Sequence, residues 1–215
     1  MSAEEAFTDD LMVLEEEAMK VSEQVQAYHR KLMAPIWEKR REMVKKIPNF
    51  WNQVFTNSTL SEMDPTDNDI EAIENLVDFH VEYDDNKPDY RKVTATFKKN
   101  NVFKNETLVK EFTIDPESDA TVISKSTIDY HENKAPNQKK RKANDDDDDF
   151  DGMEFLDWFS NDDARMGILL TEDIFPNALD YYQGDESDED IDEEIELGSD
   201  SEGNRVVNSS LDFYN

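Results

Sequence analysis

Leu11-Met12-Val13-Leu14-Glu15-Glu16-Glu17-Ala18-Met19-Lys20-Val21-Ser22-Glu23-Gln24-Val25-Gln26-Ala27-Tyr28-His29-Arg30-Lys31-Leu32 carries an apolar series at Leu11, Leu14, Ala18, Val21, Val25, Tyr28 and Leu32. Its alternating steps of three and four form an a/d seam, the stripe by which one helix buries itself against another. Asp9 and Asp10 stand where an N-cap or a first-turn acid favours helix initiation. A second series, Ile36, Arg40, Met43, Ile47, Phe50 and Val54, keeps the spacing but is shifted by one residue at Pro35. Proline removes a helical hydrogen bond and favours a kink. The spacing predicts one long helix over residues 9–57, bent near Pro35 and disturbed again at Pro48. At about 1.5 Å per residue it reaches roughly 70 Å. No second long heptad series follows that could pair with it as an internal hairpin, so the expected partner is a second copy of the chain. The expected homodimer interface comprises Leu11, Leu14, Ala18, Val21, Val25, Tyr28, Leu32, Ile36, Met43 and Ile47.

Beyond Asp64-Pro65-Thr66-Asp67 the period shortens to two. Residues 76–83, 93–97, 108–114 and 122–128 alternate β-branched or aromatic residues with polar ones, and turn-rich segments separate them. Four such runs with short connections predict an antiparallel meander with one polar face. Met153-Glu154-Phe155-Leu156-Asp157-Trp158-Phe159 and residues 168–182 read as short helices whose aromatic faces cap the sheet. The expected class is α+β: a long N-terminal dimerisation helix, a four-stranded antiparallel sheet capped by helices, and a disordered acidic C-terminal tail. The expected folded domain is 1–183, with the helix at 9–57, the sheet within 70–130, a mobile insert at 131–152 and the capping helices at 153–183. The tail is 184–215.

Charge is distributed unevenly along the chain. The total is −30, yet residues 1–60 hold 10 acids and 8 bases, and residues 61–144 hold 18 and 13. Residues 145–202 hold 24 acids and Arg165 as their one base. Such a field attracts cationic partners and repels nucleic acid, and salt screens it. Little direct nucleic-acid binding is expected. Taken by itself the tail fits either a solubilising appendage or a surface that captures a basic protein. There is no cysteine, which excludes disulfides, thiolate nucleophiles and Cys-type zinc sites. No apolar run approaches the roughly 18 residues of a membrane span, and Met1-Ser2-Ala3-Glu4-Glu5 lacks the start of a signal peptide. The expectation is an intracellular protein with no membrane partner.

The sequence offers little to catalysis. Its three histidines, His29, His80 and His131, have no companions at ligand spacing, and its five glycines form no phosphate-cradling loop. No enzyme activity, cofactor or metal is expected. Asp147, Asp149, Asp151 and Gly152 match the first ligands of a calcium loop, but Trp158 occupies the position that needs a bidentate Glu. Lys139-Lys140-Arg141-Lys142 is a compact basic block. Its place in a mobile insert favours nuclear import over a counter-charge for the aspartates at 145–149, and the negative surroundings disfavour a nucleic-acid contact.

Four stretches resemble the nucleosome assembly protein family, particularly its SET branch. The first is Pro35-Ile36-Trp37-Glu38-Lys39-Arg40-Arg41-Glu42-Met43-Val44-Lys45-Lys46-Ile47-Pro48-Asn49-Phe50-Trp51, similar to the second half of that family's dimerisation helix. Ser124-Lys125-Ser126-Thr127-Ile128-Asp129-Tyr130 resembles the last strand of its sheet. Phe155-Leu156-Asp157-Trp158-Phe159-Ser160 and Asp173-Ile174-Phe175-Pro176-Asn177-Ala178-Leu179-Asp180-Tyr181-Tyr182 follow in the family's order. The resemblance implies a dimeric histone chaperone whose sheet-plus-helices bodies bind core histones on one face, assisted by acidic tails. It implies as partners the tetramer-forming or the dimer-forming histone pair, and as location the nucleus, with cytoplasmic shuttling. In the SET branch it extends to masking histone tails from modifying enzymes and to inhibiting a phosphatase. Carried onto this chain, the histone-binding candidates are Asp157, Ser160, Asn161, Asp162 and Asp163, with Glu172 and Asp173 at the border. Each acid also fits a solvated surface carboxylate. The chain departs from the family's pattern in its short tail, which ends in Leu211-Asp212-Phe213-Tyr214-Asn215 rather than in acids.

Overall fold

The computed structural model describes residues 3–114, 120–135 and 154–184. The basic block at 139–142, the calcium-like run at 147–152 and the tail beyond Gly184 lie outside the described residues. Helix α1 spans Ala3–Val44, 42 residues with Pro35 inside it, about 63 Å at the standard rise. It is continuous across Pro35. The expected single helix to residue 57 is corrected further on: the chain leaves the helix after Val44 and re-enters one as α2, Phe50–Asn57. The break lies at Ile47-Pro48-Asn49, where Pro48 cannot donate to the helical ladder and Asn49 adopts a left-handed φ of 58°. Asparagine tolerates that conformation better than most side chains. The turn lets α2 bury Phe50, Trp51, Val54 and Phe55 in the subunit's own core instead of extending the seam.

Helix α3, Asp67–Glu74, opens on a capping box in which Thr66 and Asp69 exchange hydrogen bonds. It occupies the start of the region expected to be sheet. Four strands follow: β1 Leu76–Asp84, β2 Lys87–Phe97, β3 Thr107–Thr113 and β4 Thr121–Lys125. They form one antiparallel meander in the order β1-β2-β3-β4. β4 stops short of the expected residue 128 because Ser126 bonds elsewhere. Its N–H donates to the Phe159 carbonyl (3.1 Å), and its hydroxyl bridges the N–H and C=O of Val109 at 2.7 and 2.9 Å.

One face of the sheet carries Phe79, Val81, Val93, Ala95, Phe97, Leu108 and Phe112, all buried. Over it lie α2 and three short helices: α4 Phe155–Trp158, α5 Arg165–Ile168 and α6 Ala178–Gln183. Between α5 and α6 the chain makes a π-helical turn, Leu169–Ile174. Its wide turn is closed by Phe175 N–H donating to the Leu170 carbonyl at 3.1 Å, and it delivers Phe175 into a cluster with Trp37, Trp51 and Tyr83. Phe155, Trp158 and Phe159 are all core, as their spacing predicts.

Candidate functional site

Helix α1 presents two stripes. Arg30, Trp37, Arg40 and Val44 are buried against the subunit's own sheet and capping segments, with Met33 packed beside them. Leu11, Leu14, Val21, Val25, Tyr28, Leu32, Ile36, Met43 and Ile47 are exposed, as is Ala18. At about 100° per residue the two stripes lie roughly a quarter turn or more apart around the axis. The continuing 3/4 spacing had placed Arg40, Phe50 and Val54 in the same series as Ile36 and Met43; the structure separates them. Arg40 turns inward, and Phe50 and Val54 belong to the core.

The other candidate surface begins at α4. Asp69 is fully buried, and its Oδ1 accepts from the Leu156 N–H at 2.9 Å, which joins α3 to α4. Burial pushes its carboxyl above the usual carboxylate range, and the donors from Leu156 and Thr66 oppose that. Past α4 the chain turns through Ser160, Asn161, Asp162 and Asp163. The turn is closed by the Asn161 amide donating to Asp157 at 3.1 Å and by the Ser160 hydroxyl donating to the Asp157 carbonyl at 3.0 Å. Asp163 accepts from the Arg165 N–H at 2.8 Å and forms an ion pair with its guanidinium at 2.6 Å. Burial would raise the Asp163 pKa, but the Arg165 bonds outweigh it and the net shift is downward. Asp162 is 83% exposed at its side chain and meets Lys125 of β4 at 2.6 Å.

Lys110 lies beneath this loop on β3. Its residue is fully buried, and its ammonium donates to the carbonyls of Trp158 and Asp163 (2.5 Å each) and to Asn161 Oδ1 (3.2 Å). The same nitrogen sits 4.5 Å from the centre of the Trp158 ring. Burial lowers its pKa to about 8.

The structure therefore brings Asp157, Ser160, Asn161, Asp162 and Asp163 together in one loop. Glu172 and Asp173 stand in separate networks. Glu172 on the π-helical turn pairs with Arg91 at 2.7 Å and with Arg30 at 3.3 Å, and both arginines stack on Tyr83. Asp173 accepts from the Tyr181 hydroxyl at 2.7 Å and from Asn177 at 3.0 Å. Sequence reasoning missed the cations behind these acids: Arg30, Arg91, Lys110 and Lys125. For two of them a signal existed. Arg91 shares the strand parity of Val93, Ala95 and Phe97, and Lys110 that of Leu108 and Phe112, so alternation already assigned both to the core face.

A groove of about 480 Å³ runs between α1 and β1, lined by Tyr28, Trp37, Glu38, His80, Glu82 and Tyr83 among others. Its walls carry both signs of charge. Among the described residues no group of three or more His, Asp or Glu side chains could hold a metal ion. Among them, too, no helix is long and apolar enough to cross a membrane.

The sequence is 30% identical over 196 residues to Protein SET of Drosophila melanogaster, spanning 83% of this chain and 71% of that protein. It is also 30% identical over 230 residues to a putative nucleosome assembly protein of Schizosaccharomyces pombe, spanning 93% of this chain and 89% of the relative. Among solved structures, the crystal structure of Ccp1 superposes with a TM-score of 0.67 at 28% identity, covering 85% of this chain and 96% of that one. The profile described as nucleosome assembly protein (NAP) matches residues 3–135. The chain is a member of the nucleosome assembly protein family.

Proposed function

We propose that the chain is a homodimeric histone chaperone that assists nucleosome assembly in the nucleus without catalysis. The observation that carries the reading is the loop at 157–163: its acids sit on a turn pinned to a rigid sheet, with Asp162 projecting into solvent. Histones bind DNA largely through Lys and Arg neutralising phosphates, so a chaperone need only offer competing negative charge. The histone is shielded from wrong contacts and passes to DNA when the DNA site binds it better. The exposed stripe of α1 joins two subunits, and a histone reaching both bodies gains through effective concentration rather than new contacts. The acidic tail adds long-range attraction, which acts mainly on the association rate. Glu172 is held between two arginines at 32% side-chain exposure while Asp162 keeps 83%, which puts the weight of the contact on the 157–163 loop.

The test is a salt-dependent titration of histone on four proteins: intact, truncated before residue 184, and each of these carrying Asp157, Asp162 and Asp163 changed together to Asn. Truncation removes 12 acids and one base and takes the subunit from −30 to −19. The truncated dimer is expected to keep binding at low salt and to lose affinity when the three aspartates are neutralised. If truncation alone abolishes binding while the triple change in the intact protein has no effect, the tail is the binding site and the loop is not.

A further inference from the structure

We propose that Lys110 is the positioning residue of the 157–163 loop: its ammonium, clamped by two main-chain carbonyls and one amide oxygen of that loop, holds the aspartates in the array that meets the histone. The proposal rests on the reading of the loop as the histone contact.

The geometry is complete on the lysine's side. An ammonium has three N–H donors and no acceptor, and here the Trp158 carbonyl, the Asp163 carbonyl and Asn161 Oδ1 take all three. Those acceptors come from 48 to 53 residues further along the chain, so the clamp is tertiary and not a local turn. It bounds the loop at both ends, at Trp158 where α4 finishes and at Asp163 where the turn to α5 begins. The bonds inside the loop, between Asn161 and Asp157 and from the Asp163 N–H to Asn161, fix the turn's shape but do not attach it to the sheet. Lys110 does, from a strand held by β2 on one side and β4 on the other, alongside the Ser126 N–H on the Phe159 carbonyl and the exposed Lys125–Asp162 pair. Buried lysine normally costs stability unless its bonds are satisfied. An apolar residue at this position would fill space but remove the donor from the Trp158 and Asp163 carbonyls, so the ammonium's distinctive contribution is to the loop.

Closure of the loop is coupled to the lysine's proton. Burial brings the ammonium down to about 8; Asp163, Asp162 and Asp157 oppose that shift, and Lys125 across the β3–β4 pair adds to it. Arg165 faces the same loop through Asp163. With the clamped pKa below that of a solvated lysine, the opened loop binds the proton more tightly, so acidification through this range favours opening and mildly alkaline solution favours the closed loop.

Hydrogen exchange and histone titration on full-length wild type, Lys110→Met and Lys110→Arg test this. The readout is the protection of loop amides 158–163 relative to amides of β2 and β3, corrected for the intrinsic exchange rate. Lys110→Met is expected to lower relative loop protection about tenfold, the factor that one charge-assisted hydrogen bond represents. Its histone affinity should fall about as far as that of the triple Asp→Asn protein. Opening the loop returns the ammonium toward water, where it holds its proton more strongly. In wild type the relative protection should therefore rise between pH 7 and pH 9; arginine, which keeps its charge, should hold it level. Unchanged loop protection in Lys110→Met overturns the proposal, as does full histone affinity in that variant. A flat wild-type pH profile overturns it as well and needs no substitution, which covers a Met variant that fails to fold. The triple Asp→Asn protein separates the two readings: if it loses affinity and Lys110→Met does not, only the positioning role is wrong. If neither loses affinity, the loop is not the histone contact.

Discussion

Arg40 lies over the ring of Phe175, its guanidinium carbon 4.7 Å from the ring centre, and donates to the main-chain carbonyls of Phe175 and Pro176 at 2.6 and 2.9 Å. One side chain of α1 thus holds both the face of an aromatic ring and the backbone that carries it, 135 residues away. Burial lowers its pKa to about 10, still far above neutrality, so the charge persists at physiological pH.

Replacing Arg40 by Met should keep the aliphatic packing and lose the two charge-assisted bonds, at a cost of roughly 2–3 kcal/mol. Arg40→Lys should recover little, because a single ammonium cannot match a planar fork that reaches two carbonyls while stacking on a ring. Chemical denaturation of the two variants against wild type gives the ranking. A lysine variant as stable as wild type would show that charge alone is needed there.

Val21 and Val25 are 59% and 62% exposed in the subunit, so changing both to Glu leaves its own core untouched. Placed in a dimer seam, the same charges cost several kcal/mol per site. Light scattering should therefore report monomer, with the near-ultraviolet signal of the aromatic core preserved. A clean dimer from that protein would show that this stripe is not the interface.

Phe112 sits between two close neighbours. Trp158 meets its ring edge-on at 5.7 Å, and on the other side a Cβ added at Gly167 would lie 2.4 Å from it. Trp158→Ala should open a cavity and cost ~3–5 kcal/mol. Gly167→Ala should overpack the same spot and cost about 1–3 kcal/mol. Thermal melts check both, and an unshifted melting temperature for Trp158→Ala would mean that the ring is not part of the core in solution.

His80 carries an Nδ1 that is buried without a hydrogen-bond partner. Burial pushes its pKa below the usual histidine value, Arg41 adds to that, and Asp78, Glu38 and Glu82 oppose it. With the folded pKa below the unfolded one, the unfolded chain binds the proton first. This residue's stabilising contribution is therefore present above about pH 6.5 and is lost as pH falls through its folded pKa. Denaturation midpoints for wild type and His80→Gln, followed from pH 7 to pH 5, should show the steeper decline in wild type. Parallel curves would mean that His80 titrates as it does in the unfolded chain.

The sheet was legible because alternation over β1 to β4 has a period that nothing else in the chain imitates. The end of α1 was not, because Ile47, Phe50 and Val54 continue the 3/4 spacing across a left-handed turn at Asn49 that spacing cannot register. The acids of the 157–163 loop could be picked out by position, but not their state. A carboxylate's partner is a tertiary fact: Glu172 meets Arg30 and Arg91 from α1 and β2, and Asp162 meets Lys125 from β4, pairings that no local spacing announces. Lys110 was hidden for the same reason, since a lysine at core-facing parity reads as a misfit until its acceptors are in place.

Every side chain of α1 from residue 11 to residue 22 is exposed in the subunit. Helices of that length are marginal in water by themselves, so this stretch of α1 takes its order from whatever covers it. If the cover is a second copy, order in the stretch follows mass action: it rises with protein concentration, and helix content on dilution reports assembly directly. The body of the subunit would hold its shape through the same dilution, since α2, the sheet and the capping helices close their core within one chain. Such a molecule has two melting behaviours, one that depends on how much of it is present and one that does not.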